Sequence, residues 1–269
     1  MTDATRVAVL IDCDNISHQW AGAILGEVAR HGTLGIKRGY GDWTNDHLKN
    51  WRPELATHAI QPVQQFAYSV GKNSTDFALV IDAMDLLYGG TVDAFCLVSS
   101  DSDFTRLAMR LRESGKRVYG IGARKTPAAF QNACDQFTYV ELLVGETTPV
   151  DEPETTKKAA KKVAKKAVAK AAPATKSSAT KRAQLQQVSD LLLRAIEARA
   201  KEDGWASLSE VGGYVTNTNP TFDPRNYGYS KLSTLVADLP RVEMKDVPTG
   251  NGLTALHVRE APRAARKRR

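Results

Sequence analysis

The sequence predicts two folded units of different class. The first is an α/β domain, a three-layer α/β/α arrangement with a mostly parallel sheet; the second is a small α+β winged helix. Three observations carry this. Over residues 6–143 strand-like and helix-like runs alternate, the pattern of βαβ units whose parallel strands are covered on both faces. Over residues 183–258 three helical patterns precede two strand-like runs joined through Gly250, Asn251 and Gly252, a hairpin signal. Between the two lies a Lys/Ala-rich stretch without an aromatic residue. We therefore divide the chain into residues 1–148 (α/β domain), 149–183 (linker), 184–258 (winged helix) and 259–269 (basic tail).

Each element has a local reason. VAVLID (7–12) is a buried strand run, Ala-rich residues 18–30 are helical, TLGIKRGY (33–40) is a strand and 46–57 a short helix. HAIQPVQ (58–64) is strand-like. Residues 75–88 form an amphipathic helix whose stripe at about 100° per residue is Phe77, Val80, Ile81, Met84 and Tyr88. Asp76 flanks that stripe, and Asp82 and Asp85 look more solvated. AFCLVSS (94–100) and RVYGIG (117–122) are buried strands, with helices at 103–114 and near 126–133 and an edge strand at YVELL (139–143). In the second unit a helix spans about 184–200. Ser207 and Glu210 have the spacing of a capping box, and YSKLSTLVADL (229–239) is the third helix, followed by strands at RVEMK and LTALHV.

The 269 residues carry 42% hydrophobic and 25% charged side chains and a net charge of +7. A packed core is therefore available, and a wholly disordered chain is excluded. The charge is uneven: −3 over 1–150, +7 over 151–183, −2 over 184–258 and +5 over 259–269. Within the linker, residues 157–182 have Lys pairs every four residues, at 157/158, 161/162 and 165/166, and only Val163 and Val168 exceed Ala among their apolar residues. Too little surface is available there to offset ordering entropy, so it is expected to be disordered when free. It reads either as a solubilising spacer or as a nonspecific nucleic-acid tether. The run Arg263–Arg269 favours the tether, because both ends of the small domain then carry phosphate-seeking arms.

No run approaches the ~18 apolar residues of a membrane span, and no secretory signal pattern opens the chain. Cys13, Cys96 and Cys134 are odd in number and widely spaced. They offer neither a disulfide framework nor a CxxC pair, and a reducing cytoplasm is the expected location. His18, His31, His47, His58 and His257 show no metal-ligand spacing and no triad-like pattern. Gly120-Ile121-Gly122 lacks the third glycine of a dinucleotide loop, so a nucleotide-cofactor enzyme is poorly supported.

Carboxylates remain as the chemistry. Asp12 closes the first strand, Asp101 and Asp103 follow the 94–100 strand, and Asp76 opens the 75–88 helix. In parallel sheets ligands collect beyond the carboxyl ends of the strands. Singly, each Asp could cap a helix or turn. Converging on one edge they repel and raise one another's pKa unless a divalent cation neutralises them, and an oxygen-only set suits Mg2+ or Mn2+ rather than Zn2+.

VAVLIDCDN, KRGYGDW, GKNSTDFALVIDAMDLLY, FCLVSSDSDF and GIGARKTPAAFQNACDQF, in that order over residues 5–145, resemble the NYN domain family, relatives of PIN nucleases. The resemblance implies a PIN-like fold and a metal-dependent ribonuclease site. Its acidic positions fall on Asp12, Asp76, Asp101 and Asp103, with Asn15 as a supporting polar residue. NYGYSKLSTLVADLPRVEM and its surroundings, residues 185–258, resemble the OST-HTH/LOTUS domain, which binds RNA or protein. The reading that results is a Mg2+/Mn2+-dependent endoribonuclease acting on RNA.

Lys72, Arg124 and Lys125 are candidates for flanking phosphates or plain surface charge. Tyr40 and Trp43 are candidates for stacking on unpaired bases, Tyr40 equally for packing. Arg225, Tyr229 and Lys231 are candidates for nucleic-acid contact in the second unit, Tyr227 and Tyr229 equally for its core. Rival readings are a non-catalytic RNA-binding regulator and a DNA-associated structural protein using the basic linker and tail. A homodimer is a further open assembly, and no membrane partner is expected.

Overall fold

The structure is a computed structural model that describes residues 4–66, 74–143, 176–249 and 253–261. Lys72, most of the linker and the run from Arg263 to Arg269 lie outside the described residues.

The first unit is a six-stranded, all-parallel sheet between two helical layers. Its strands are β1 (Arg6–Asp12), β2 (Thr33–Gly41), β3 (Gln61–Gln64), β4 (Ala94–Val98), β5 (Arg117–Gly122) and β6 (Gln136–Tyr139), in the order β3-β2-β1-β4-β5-β6. β1 is central, pairing Asp12 with Tyr40 on one side and Ile11 with Val98 on the other. Its run RVAVLID is apolar throughout because both faces are covered. Val7, Val9 and Ile11 pack with α1 (Ala21–Val28) and α2 (Trp51–Thr57). Ala8 and Leu10 pack with α3 (Ser74–Gly89), α4 (Thr105–Glu113) and α5 (Ala128–Ala133).

The strand order reverses between β1 and β4, which opens a crevice beyond their carboxyl ends. Gly120 and Gly122 have a packing role there and in the core. A Cβ on Gly122 would lie 2.5 Å from the Ser99 carbonyl oxygen, and one on Gly120 would lie 2.4 Å from the Phe137 ring.

Three expectations are corrected here. The edge strand runs over Gln136–Tyr139, and Val140–Leu142 form a 3-10 turn. α3 buries Leu79, Ala83 and Leu87, whereas Phe77, Ile81 and Tyr88 are 67%, 61% and 72% exposed. The reason is that this helix is apolar on both sides, and Asp82 decides which side meets the sheet. Asp82 is not solvated: it accepts hydrogen bonds from Arg38 and from the Tyr40 hydroxyl, both on β2. Ala83 is small enough to let the helix backbone approach the strands.

The second unit comprises α6 (Lys176–Arg199), α7 (Leu208–Thr218), α8 (Leu232–Ala237) and a sheet of β7 (Ala206–Ser207), β9 (Leu253–Glu260) and β8 (Val242–Thr249). Val188, Leu192, Ile196, Val211, Val215, Leu235 and Val258 form its core. α6 begins before the expected start at residue 184. No side-chain cap forms at Ser207, whose hydroxyl meets that of Ser209 instead. The short β7 escaped the sequence reading because two residues carry no periodicity.

The units touch. The Phe137 N–H on edge strand β6 donates to the Pro220 carbonyl at 2.8 Å, and Arg225 bonds Glu27 on α1.

Candidate metal centre

Three segments deliver carboxylates to the crevice. β1 ends on Asp12, which is 2% exposed. Its Oδ2 accepts from the Ser99 hydroxyl at 2.8 Å and its Oδ1 from the Asn15 N–H at 3.2 Å. Burial pushes the Asp12 carboxyl up to about 7; the Ser99 hydrogen bond opposes this, and the charges of Asp76 and Asp14 add to it. A carboxylate taken from water with only one hydroxyl and one amide to replace it holds its proton more tightly.

Past β4 the chain turns through Ser99–Ser100 into a 3-10 turn capped by Asp101, whose Oδ1 accepts from the Asp103 N–H at 2.9 Å. Ser99 ties the two strand ends together, because its hydroxyl donates to Asp12 and accepts from the Asp101 N–H at 3.1 Å. Asn15 does the same from the other side: its Oδ1 accepts from the Ser100 N–H at 3.1 Å. Ser100 in turn accepts from the Ala123 N–H after β5. α3 then brings Asp76. Burial, followed by the charges of Asp101, Asp103 and Asp14, pushes its carboxyl up to about 6.

Asp76, Asp101 and Asp103 each offer an oxygen within 4.8 Å of the others. A divalent cation with oxygen ligands at ~2.1–2.5 Å spans such a set. The donors are carboxylates alone, and mutual repulsion raises the proton affinity of Asp76, so the residues present fit a hard divalent ion. Asp12 lies outside that triplet but is coupled to it through Asp76.

Asp14 was missed in the sequence reading. Its Oδ1 meets His47 Nε2 at 3.1 Å and its Oδ2 accepts from the Thr75 hydroxyl at 2.9 Å. It therefore links β1, the loop after β2 and the first turn of α3. Its place two residues after Asp12 was the available signal; the bond to Thr75 needs the fold.

These observations carry a family match. The NYN domain model matches residues 6–142. The chain belongs to the NYN domain family. This NYN chain also matches the OST-HTH/LOTUS domain model over residues 182–254. The two domains together have a nuclease-like fold and a module of an RNA-binding family. An uncharacterized protein of Methanocaldococcus jannaschii is 27% identical over 162 residues, 58% of this chain and 62% of that protein; the chain thus spans under two thirds of that relative. A Vibrio parahaemolyticus protein of unknown function shares 17% identity over 52% of this chain and 94% of its own, with a TM-score of 0.45. An uncharacterized Nitrosomonas europaea protein shares 24% identity over 45% of this chain and all of its own, with a TM-score of 0.28. No described helix is long and apolar enough to cross a membrane.

The expected nucleic-acid contacts divide. Arg124 and Lys125 are exposed in the loop after β5, beside the end of β4, with the Arg124 guanidinium 5.2 Å from the Tyr139 ring centre. Trp43 donates its indole N–H to the Val63 carbonyl at 3.0 Å and lines a groove of about 500 Å³ with Arg52, Leu55, Ile60 and Pro62. Tyr40 is corrected: it is fully buried with its hydroxyl on Asp82, so it packs and does not stack on bases. Arg225 is corrected too. Its guanidinium is held by Asp223 and Glu27, leaving no free fork for a phosphate. Tyr229 donates to Asp238 at 2.9 Å and packs against the small core. Lys231 is exposed ahead of α8, at the rim of a cavity between the units. All three cysteines are buried and free, and burial pushes their thiols up.

Proposed function

We propose that this NYN chain is a divalent-metal-dependent endoribonuclease whose winged helix adds affinity for RNA. One observation carries the reading: Asp76, Asp101 and Asp103 converge within 4.8 Å at the strand-order reversal, beside an Asp12 too buried to ionise easily. A protein that only bound RNA would gain nothing from three converging acids facing a polyanion.

Asp76, Asp101 and Asp103 would hold Mg2+ or Mn2+, with Asp12 completing the negative site. A bound ion supplies an activated water at neutral pH and stabilises charge on the scissile phosphate. The chain's own residues do the rest. Ser99 orients Asp12 and anchors the Asp101 backbone, and Asn15 holds the β4 loop against β1. Arg124 and Lys125 would take flanking phosphates, positioning the strand without reading its sequence. In the second unit Lys231 is the remaining phosphate candidate. The Lys-rich linker and basic tail would add nonspecific affinity, for which duplex DNA competes. We place this work in a reducing cytoplasm, consistent with three buried thiols.

The test is incubation of labelled single-stranded RNA with the full chain, with Mn2+ or with EDTA, beside Asp101→Asn. Cleavage that needs the metal and falls at least ~100-fold in the variant supports the reading. RNA binding without metal-dependent cleavage would replace it with a binding function.

A further inference from the structure

α3 has two apolar faces. Leu79, Ala83 and Leu87 face the sheet and are buried. On another side Phe77, Ile81 and Tyr88 are exposed, and Met84, half-buried against the core of the first unit, continues their line at spacings of four, three and four. Phe77, Ile81 and Tyr88 are 67%, 61% and 72% exposed, three of the five large apolar side chains exposed among the described residues. A helix with a second apolar stripe calls for a second apolar surface, and among the described residues only the sheet-facing side of α3 is covered.

We propose that a second copy of this chain covers the stripe, with α3 packed antiparallel on α3 of the partner subunit. The stripe is its own complement. Around the midpoint between Ile81 and Met84, antiparallel pairing sets Phe77 opposite Tyr88 of the partner subunit, and Ile81 opposite Met84 of the partner subunit. An isologous two-fold contact needs this self-matching.

Charge points the same way. α3 has no Lys or Arg and exposes Asp85 beside the stripe, so a nucleic acid or an anionic membrane is a poor occupant of that face. Arg110 on the neighbouring α4 donates to the Tyr88 hydroxyl at 3.2 Å, which sets a cation at the rim facing the partner's acidic helix. The masses of surface agree with a reversible contact. Aromatic side chains bury ~150–250 Å² each, so Phe77 and Tyr88 contribute roughly 250–300 Å² per protomer at their observed exposure. With Ile81 and the rim added on both protomers, the interface stays at or below the lower end of the ~1,200–2,000 Å² range of specific complexes, the size of a weak, transient contact. A micromolar dimer is the expectation. At ~1.5 Å rise per residue the two Asp76 positions stand about 20 Å apart along the helix pair.

The experiment is sedimentation velocity of the full chain across the micromolar range, for wild type and Ile81→Glu, with a thermal melt of each. Wild type should pass from monomer to dimer with concentration. Ile81→Glu should dimerise at least ~10-fold more weakly with an unchanged melt, because residue 81 is exposed in the monomer. As an independent readout, chains carrying Ile81→Cys and chains carrying Met84→Cys are mixed under mild oxidation. The mixture should form a covalent dimer faster than either alone. A wild type that stays monomeric, an Ile81→Glu chain that dimerises like wild type, or a mixture without covalent dimer overturns the proposal. None of these outcomes bears on nuclease activity.

Discussion

Arg225 and Glu27 join the two units: Nη2 donates to Oε1 at 2.7 Å and Nη1 to Oε2 at 3.1 Å, while the same guanidinium holds Asp223. Glu27 is 7% exposed. Burial pushes its carboxyl up, and Arg225 and Arg30 more than offset this, leaving it below the ordinary range. Arg225→Ala leaves two acids poorly compensated. The cost to the contact should be about 2–3 kcal/mol, under the ~3–5 kcal/mol of a fully buried pair, since the guanidinium is 25% exposed. Hydrogen exchange should report it at the Phe137 amide, which bonds Pro220 across the same contact. Exchange there should speed at least ~10-fold in the variant; unchanged exchange would show that the ion pair does not hold the units together.

Asp12 and Asp76 make the metal-free protein less stable as pH rises. Both carboxyls titrate higher when folded, at about 7 and about 6, than the ordinary 3.8. Between pH ~4 and ~7 the folded chain therefore binds more protons than the unfolded chain, and unfolding free energy falls with rising pH. Denaturation in EDTA should show greater stability at pH 5 than at pH 8. Mn2+ should restore more stability at pH 8, because binding must displace those protons. Asp12→Asn should flatten the EDTA slope. An EDTA profile that is flat or rises over this window would contradict the assigned shifts.

Ser99→Ala tests positioning. Its hydroxyl is the hydrogen bond that holds the Asp12 carboxyl down against burial. Without it Asp12 should titrate higher still, and the acid limb of any RNA cleavage should move to higher pH. Cleavage at neutral pH should fall about 10-fold, as for other groups that orient metal-site residues, with recovery at higher pH. A uniform fall with an unmoved profile would mark Ser99 as merely structural.

Tyr40→Phe should leave RNA affinity unchanged, since the ring is inaccessible. It should lower stability by ~1–2 kcal/mol by stripping one donor from a partly buried carboxylate. Urea denaturation and RNA titration of one preparation check both. Weakened RNA binding with intact stability would reinstate the stacking role.

Deleting residues 157–182 should weaken RNA binding and flatten its salt dependence, because fewer counterions are released. Cleavage at saturating RNA should change little. Binding measured at several salt concentrations decides it: an unaltered slope would reduce the lysines to a spacer.

The strand runs, their parallel class and the carboxylates at strand ends were legible in the residues themselves. Apolar runs such as VAVLID, and turns that open on Asp12 and Asp101, are local properties. β4 and β5 appeared in the expected places for that reason, as did the helix that carries Asp76.

The face of α3 was not legible, because both of its faces are apolar and periodicity cannot choose between them. That choice belongs to Asp82, whose partners Arg38 and Tyr40 lie more than forty residues earlier. The same holds for Arg225: a cation before a helix looks available for phosphate until the fold brings Glu27 to it from 198 residues away. Asp14 likewise needed Thr75 and His47 beside it. Which acids the chain carries, and on which elements, follows from local sequence. Which of them are buried, braced or paired was decided by tertiary structure, because desolvation and charge pairing depend on neighbours that sequence spacing does not encode.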